Sequence, residues 1–439
     1  MPSIKTKLPG PKARAILKQS KAFEPNSMSD QAPLVWAKAH GCEIEDVDGN
    51  VFLDFSSGVL VTNIGHCHPE YVAAVQDQAE RLYNCYDFPT RERVALAEKL
   101  VAMTPPHLDK CFLLTTGSEA TEAAVKMARR AHGGYEVLAF HGAFHGRTFG
   151  AMSFGGSAGV KKGFGPLLPG IIHAPFCYCY RCVFDKEYPS CGLWCLDHLD
   201  WVISKESDGA LCAVITEPYQ GGAGSIIPPP GYMEKLCAWA KAKGLYFILD
   251  EVQSSFGRTG KMFAMEHYGI EPDLVCLAKG LGSGIPCAAV LGRHEIMDVL
   301  QPGELSSTNG GNPMSCRAAL AAIDIIERER LPERAATLGA QMGERFAKMQ
   351  KRIKQIGDVR GQGLVFGIEM VADRKTKAPD KALTKRIVHE AYLRGLCLIA
   401  PIGMYGNVIR IAPPLVITAE QMHEGMDILE AAMKAAVAG

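Results

Sequence analysis

At 439 residues the chain is too long for one small core, and its size points to two or more lobes. Lysine plus arginine (47) balance aspartate plus glutamate (47), leaving no basic surplus to draw in nucleic acid or anionic lipid, so a metabolite enzyme fits better than a scaffold. No uncharged apolar stretch reaches the roughly 18 residues of a membrane helix, the basic start from Met1 to Lys21 holds no signal-peptide core, and a cytoplasmic protein is expected.

In chain order, residues 1 to about 60 read as an irregular arm ending in a hairpin, with 42–46 and 51–54 alternating around Asp48-Gly49-Asn50. Helical spacing follows over 70–82. The chain then alternates: strand 111–114, helix 119–132, strand 136–140, a Gly-rich connection, strand 211–215, helix 232–243, and strands 246–249 and 274–277. Strands alternating with helices predict an α/β fold with a mostly parallel sheet covered on both faces. Past Asn312-Pro313, long helices at 314–328 and 331–356 lead into a smaller α+β lobe with strands 364–370, 396–399 and 408–411 and a last helix over 418–436. The expected organisation is an N-terminal arm and hairpin (1–60), a large domain (61–325) and a small C-terminal domain (326–439).

Two apolar runs end in charge. One closes on Asp250-Glu251-Val252-Gln253 and the other on Ala278-Lys279-Gly280, so both charges fall where a buried strand opens into a loop, the edge where open α/β sheets bind ligands. A shielded Asp250 can hold a cation such as a pyridinium nitrogen, which keeps a ring cofactor protonated as an electron sink. The rival reading is a Walker B acid pair, but it needs a G-x-x-x-x-G-K-[ST] loop that the chain lacks; a structural salt bridge is the plainer alternative. Lys279, pinned between small residues, should be desolvated, with a lowered pKa and a nucleophilic amine. By itself it would read as a surface lysine at a strand end.

Thr115-Thr116-Gly117-Ser118-Glu119 joins a strand to a helix and could hold a phosphate on backbone N–H groups, or could be an ordinary cap with Ser118 at the N-cap. Gly155-Gly156-Ser157-Ala158-Gly159 matches a nucleophile elbow but lacks a preceding strand. The glycines at 280, 282 and 284 do not keep dinucleotide spacing. Of the 15 cysteines, most lie singly in apolar runs as small hydrophobes, and reduced thiols are the cytosolic default. Cys177, Cys179, Cys182, Cys191 and Cys195 form a cluster that could hold a structural zinc or an iron–sulfur centre, or be a metal-free loop; the spacing matches neither zinc ribbon nor finger closely.

With these residues in view, the chain resembles the class III aminotransferases, pyridoxal 5′-phosphate (PLP) enzymes of fold type I similar to 4-aminobutyrate, ornithine and alanine–glyoxylate aminotransferases. The likeness runs from Asp48-Gly49-Asn50 to the last helix and centres on 249–253, Phe256-Gly257-Arg258-Thr259-Gly260 and Lys279. It implies that Lys279 forms the internal aldimine and shuttles the substrate proton, that Asp250 pairs with the pyridine nitrogen, and that Gln253 approaches the phenolic oxygen. Gly117 and Ser118 would hold the phosphate, Thr308 would reach the phosphate of a neighbouring subunit, and Phe144 and Val252 would flank the ring, with His145 beside them. Arg410 would take the α-carboxylate, and Arg147, Glu217, Tyr219 and Val59 would face substrate. A homodimer, or a dimer of dimers, with shared sites follows from the same likeness.

One departure stands out. Members of the 4-aminobutyrate type carry a glutamate after Glu-Pro-x-Gln-Gly that neutralises the α-carboxylate arginine; this chain reads Glu217-Pro218-Tyr219-Gln220-Gly221-Gly222. With no carboxylate there, Arg410 stays available to α-amino acids or to another amine with a compact anionic group. The expected reaction moves an amino group from an amino acid to a 2-oxo acid or aldehyde. The alternatives are a class III racemase, decarboxylase or lyase, and, outside the cofactor class, a zinc-organised binding protein that would leave Asp250 and Lys279 unexplained.

Overall fold

The computed structural model describes residues 2–438. One compact unit comprises Glu70–Phe256 and Lys261–Ile325; the other comprises the chain up to Pro69, Gly257–Gly260 and the chain from Ile326.

The first unit is built on seven strands: β1 (Lys110–Leu114), β2 (Glu136–Phe140), β3 (Ile171–Ala174), β4 (Leu211–Thr216), β5 (Tyr246–Asp250), β6 (Leu274–Leu277) and β7 (Ala288–Gly292). Their order is β1-β7-β6-β5-β4-β2-β3. All neighbours from β6 to β3 run parallel, while β7 is antiparallel to both β1 and β6. Strands covered on both faces read as unbroken apolar runs, and every residue of β2, β4, β6 and β7 is buried. The sequence does not announce β7, because Ala-Ala-Val-Leu-Gly after a glycine-rich loop carries no periodicity to separate strand from buried coil. β3 likewise replaces part of the expected Gly-rich connection.

The helix Gly117–His132 buries Ala120, Thr121, Ala123, Ala124, Val125, Met127 and Ala128, mostly small residues that let it lie close to the sheet, and it ends on left-handed Gly133 (φ 85°). Its N-cap is Thr116, not Ser118: the Thr116 side chain accepts from Glu119 N while the Glu119 carboxylate reaches back to the Thr116 backbone. Ser118 is thereby left free to face its neighbours from the first turn.

In the second unit the expected hairpin forms from Glu43–Asp46 and Val51–Asp54, with Gly49 at φ +83° in its turn. Trp36–His40 and Leu396–Cys397 extend it to a four-stranded sheet. The arm is not irregular: Pro11–Phe23 is a helix with proline in its first turn, and its N-terminus is capped from a distance, because Asp48 accepts from Lys12 N (2.9 Å) and Ala13 N (2.8 Å). A second sheet pairs Val365–Asp373 antiparallel with Ile356–Gln362 on one side and Val408–Ile411 on the other. The helix expected over 331–356 stops at Arg352, where Ile353 turns to extended backbone and opens the unanticipated strand Ile356–Gln362. Among the described residues no helix is long and apolar enough to cross a membrane.

Candidate active site

Three neighbouring parallel strands deliver side chains to one edge of the seven-stranded sheet. β5 ends on Asp250, paired in register with Cys276 of β6, three residues before Lys279. Beside it, β4 opens into Glu217. Asp250 is 4% exposed, and both its oxygens are engaged: Oδ2 lies 2.7 Å from His145 Nδ1, and Oδ1 accepts from Val252 N (3.0 Å). The His145 ring is buried, its Nε2 has no hydrogen-bond partner, and its carbonyl accepts from Thr121 Oγ1 (2.9 Å).

Lys279 opens a 3-10 turn with φ +43°, half-buried, while Gly280 and Leu281 behind it are buried. The first turn of Gly117–His132 has glycines where side chains would intrude. A Cβ on Gly117 would sit 2.8 Å from Val252 Cγ1, and one on Gly146 (φ +143°) would sit 2.2 Å from Ser118 Oγ. Ser118 Oγ accepts from Arg147 N at 3.3 Å. A helix start with unsatisfied N–H groups, a hydroxyl and a clearance enforced by glycine is a phosphate-sized cradle.

Glu217 is buried, and it accepts from Phe144 N (3.0 Å) through one oxygen and Gly221 N (2.9 Å) through the other. Burial pushes its pKa up to about 7, with the neighbouring Asp250 charge adding to the rise and His145 opposing it. Tyr219 is buried and donates to Gln253 Oε1 at 3.3 Å. Phe144 is 37% exposed and lies under the Arg147 guanidinium, 5.5 Å from carbon to ring centroid. A Cβ on Gly222 would sit 3.1 Å from Phe144 Cβ, so residue 222 can gain a side chain only if Phe144 yields. Thr308 is exposed in the loop before Pro313.

Arg410 and Val59 belong to the second unit. Arg410 is 5% exposed on the strand Val408–Ile411. Val59 sits in a run that sequence reasoning missed: Ser57, Gly58, Val59 and Leu60 all have positive φ (49°, 56°, 69° and 60°). Left-handed backbone costs a non-glycine residue about 1–2 kcal/mol, and a β-branched residue there is an outlier. The turn leaves Val59 39% exposed beside a cavity of about 300 Å³ whose walls include Leu34, Trp36, Leu396 and Leu398.

The other motifs stay apart from this chemistry. Gly155–Gly159 follows the helix Phe149–Phe154, not a strand, so the elbow geometry is missing. The five clustered cysteines line one cavity of about 20 Å³, yet among the described residues no group of three or more His, Cys, Asp or Glu is arranged to hold a metal ion. Burial pushes the Cys195 thiol up to about 12 and Cys177 well above its ordinary range. The zinc expectation therefore finds no assembled site. Glu251, read in the sequence only as half of an acid pair with Asp250, is buried, accepts from Ala264 N (3.0 Å) and Met265 N (2.7 Å) and braces the loop behind the site.

A buried carboxylate for a pyridinium, a glycine-lined helix start for a phosphate and a lysine in the turn just past the adjacent strand fit PLP, and fold and site together define a PLP-dependent transferase of fold type I. The chain belongs to the class-III aminotransferases: that family matches residues 25–433, and the protein is a PLP-dependent transaminase. It is 41% identical to the 4-aminobutyrate aminotransferase of Mycobacterium tuberculosis, over 97% of this chain and 96% of that one. It is 39% identical to the leucine/methionine racemase of Thermococcus litoralis, over 96% and 95%. A PLP-bound amine transaminase from an uncultivated Pseudomonas species superposes with a TM-score of 0.88 at 32% identity, covering 95% of this chain and 98% of that one.

Proposed function

We propose that the amino donor is an α-amino acid with an apolar side chain, and that its nitrogen passes to a 2-oxo acid or aldehyde. The observation that carries this reading is Gly222: the place of the gating glutamate is empty of charge, and the Phe144 contact at 3.1 Å resists a side chain there. Arg410 then binds the α-carboxylate through a planar bidentate fork. The apolar walls around Val59 favour a hydrocarbon side chain over a second carboxylate.

Bound PLP supplies the electron sink that makes a carbanion at the substrate Cα accessible. Asp250 holds the charge on the ring nitrogen, and His145 orients Asp250. Gly117 and Ser118 hold the phosphate, Phe144 and Val252 flank the ring, and Gln253, fixed by Tyr219, faces its oxygen. Lys279 Nζ would remove the Cα proton and redeliver it to the carbon beyond the substrate nitrogen, a 1,3-shift, and that delivery separates transamination from return of the proton to Cα.

Assembly as a homodimer, with Thr308 contributed to the partner's phosphate, is favoured by exposed aromatic surface at Tyr83, Tyr86 and Phe88. Cytoplasmic residence fits the 15 cysteines. Racemisation is the second reading, favoured by the likeness to the leucine/methionine racemase.

The test is a half-reaction. PLP-loaded enzyme is mixed with single amino acids and no acceptor, and the cofactor spectrum is followed. Stoichiometric conversion to the amine form by apolar α-amino acids, and not by 4-aminobutyrate, is expected. Conversion by 4-aminobutyrate alone contradicts the donor class, and loss of optical activity without conversion selects the racemase.

A further inference from the structure

The left-handed turn at Ser57–Leu60 and the end of the Arg410 strand are 355 positions apart at their contact, where Ser57 Oγ donates to Ala412 O (2.7 Å). One buried side chain grips both. Arg258 is 0% exposed; its Nη1 donates to the carbonyls of Pro413 (2.6 Å) and Leu364 (3.0 Å), and its Nη2 to Asn63 Oδ1 (2.8 Å) and Ser57 Oγ (3.2 Å). Asn63 O in turn accepts from Leu415 N at 2.9 Å. All of these residues lie in the second unit.

Backbone in a rare conformation persists only where its surroundings over-determine it. Asp54 does part of this, accepting from Ser56 N (2.7 Å) and Ser57 N (3.2 Å). Arg258 does the rest, and it is the group that also fixes the chain at Pro413, three residues beyond Arg410. A planar fork with donors in set directions can serve these acceptors together, and a single ammonium point cannot.

We propose that Arg258 is a positioning residue for substrate recognition. It holds the turn that presents Val59 and the backbone that follows Arg410 in one frame, so the carboxylate anchor and the apolar wall keep a fixed separation. A donor of matching length is then gripped at both ends, and a shorter or longer one at only one. This rests on the roles given above to Arg410 and Val59.

Four PLP-loaded proteins test it: wild type, Arg258→Lys, Ser57→Ala and Arg410→Lys. Each is reacted in single turnovers with straight-chain α-amino acids of graded length and with an amine that has no carboxylate. Arg258→Lys and Ser57→Ala should weaken amino-acid binding about tenfold or more, leave the limiting rate within about threefold, flatten the preference for side-chain length, and spare the carboxylate-free amine. If Arg258 only fills space, the variants unfold at lower temperature while the surviving holoenzyme, normalised to bound PLP, keeps wild-type affinity and length preference; that result overturns the proposal. Should Arg258→Lys fail to fold, Ser57→Ala decides, since it keeps the arginine and removes both bonds through Ser57 Oγ, the one from Arg258 and the one to Ala412 O that ties the turn to the Arg410 strand. Wild-type affinity in Arg410→Lys would instead overturn the carboxylate assignment, whatever the Arg258 variant shows.

Discussion

His145 and Asp250 form a buried pair, Nδ1 to Oδ2 at 2.7 Å, at the end of the central strand of the sheet. The pairing fixes the carboxylate, whose charge in the proposed function faces a ring nitrogen. Asp250→Asn keeps the shape and removes the charge, so amino-group transfer in a single turnover should slow on the order of 10²-fold or more, as when a preorganised electrostatic group is lost. His145→Gln should cost less, because it perturbs the orientation of Asp250 but not its charge. Equal, small effects of the two changes would show that Asp250 does not face the cofactor.

Gly146 tests the phosphate cradle. A methyl there would lie 2.2 Å from Ser118 Oγ, so Gly146→Ala must displace the serine as well as strain a backbone at φ +143°. PLP affinity should fall by about tenfold or more, read by equilibrium dialysis, with donor preference unchanged in the enzyme that still holds cofactor. Unchanged PLP affinity would move the phosphate elsewhere.

The pH dependence of stability carries a definite sign. Burial pushes both Glu217 and Glu251 up to about 7 from an ordinary value of 4.5. Each is protonated in the folded chain and ionised in the unfolded one between those values, so its stabilising contribution is complete below about pH 4.5 and is lost as pH rises through about 7. Unfolding free energy of the cofactor-free protein should therefore decline less steeply from pH 5 to 7 in Glu251→Gln than in wild type. Parallel slopes would contradict the raised value.

Val59 trades stability against recognition. Val59→Gly removes a β-branched residue from φ +69°, and the gain, offset by the added flexibility of the unfolded chain, should be up to about 1 kcal/mol, seen as a higher unfolding temperature. The same change should lower kcat/KM for apolar donors by about 10- to 200-fold through the lost apolar contact. A destabilised variant with intact selectivity would place the strain and the side chain outside substrate recognition.

How far these features could be read from the sequence depended on how local their causes are. β2 and β6 were legible end to end, because each is a short apolar run bounded by turn residues at a length that suits a buried strand and not a helix. The helix Pro11–Phe23 was not, since its cap is Asp48, 36 residues from Lys12. At the phosphate cradle the signal was present and misassigned: Thr116-x-x-Glu119 is a capping box, and Ser118 only neighbours it. The turn at Ser57–Leu60 was invisible, because only Gly58 among its four residues favours left-handed backbone and the rest are forced by Asp54, Arg258 and Ala412 from other segments. Asp250 and Lys279 were legible as a pair because adjacent parallel strands carry them to the same edge.

The role of Lys279 is tested most directly by the spectrum of Lys279→Ala beside that of wild type, each incubated with PLP and then given an apolar α-amino acid without acceptor. Wild type should show a visible band that is replaced stoichiometrically by the amine form, and Lys279→Ala neither that band nor a turnover on the same timescale. A variant that keeps the band and completes the conversion at the wild-type rate would contradict the assignment of Lys279 and, with it, the reaction proposed for this site.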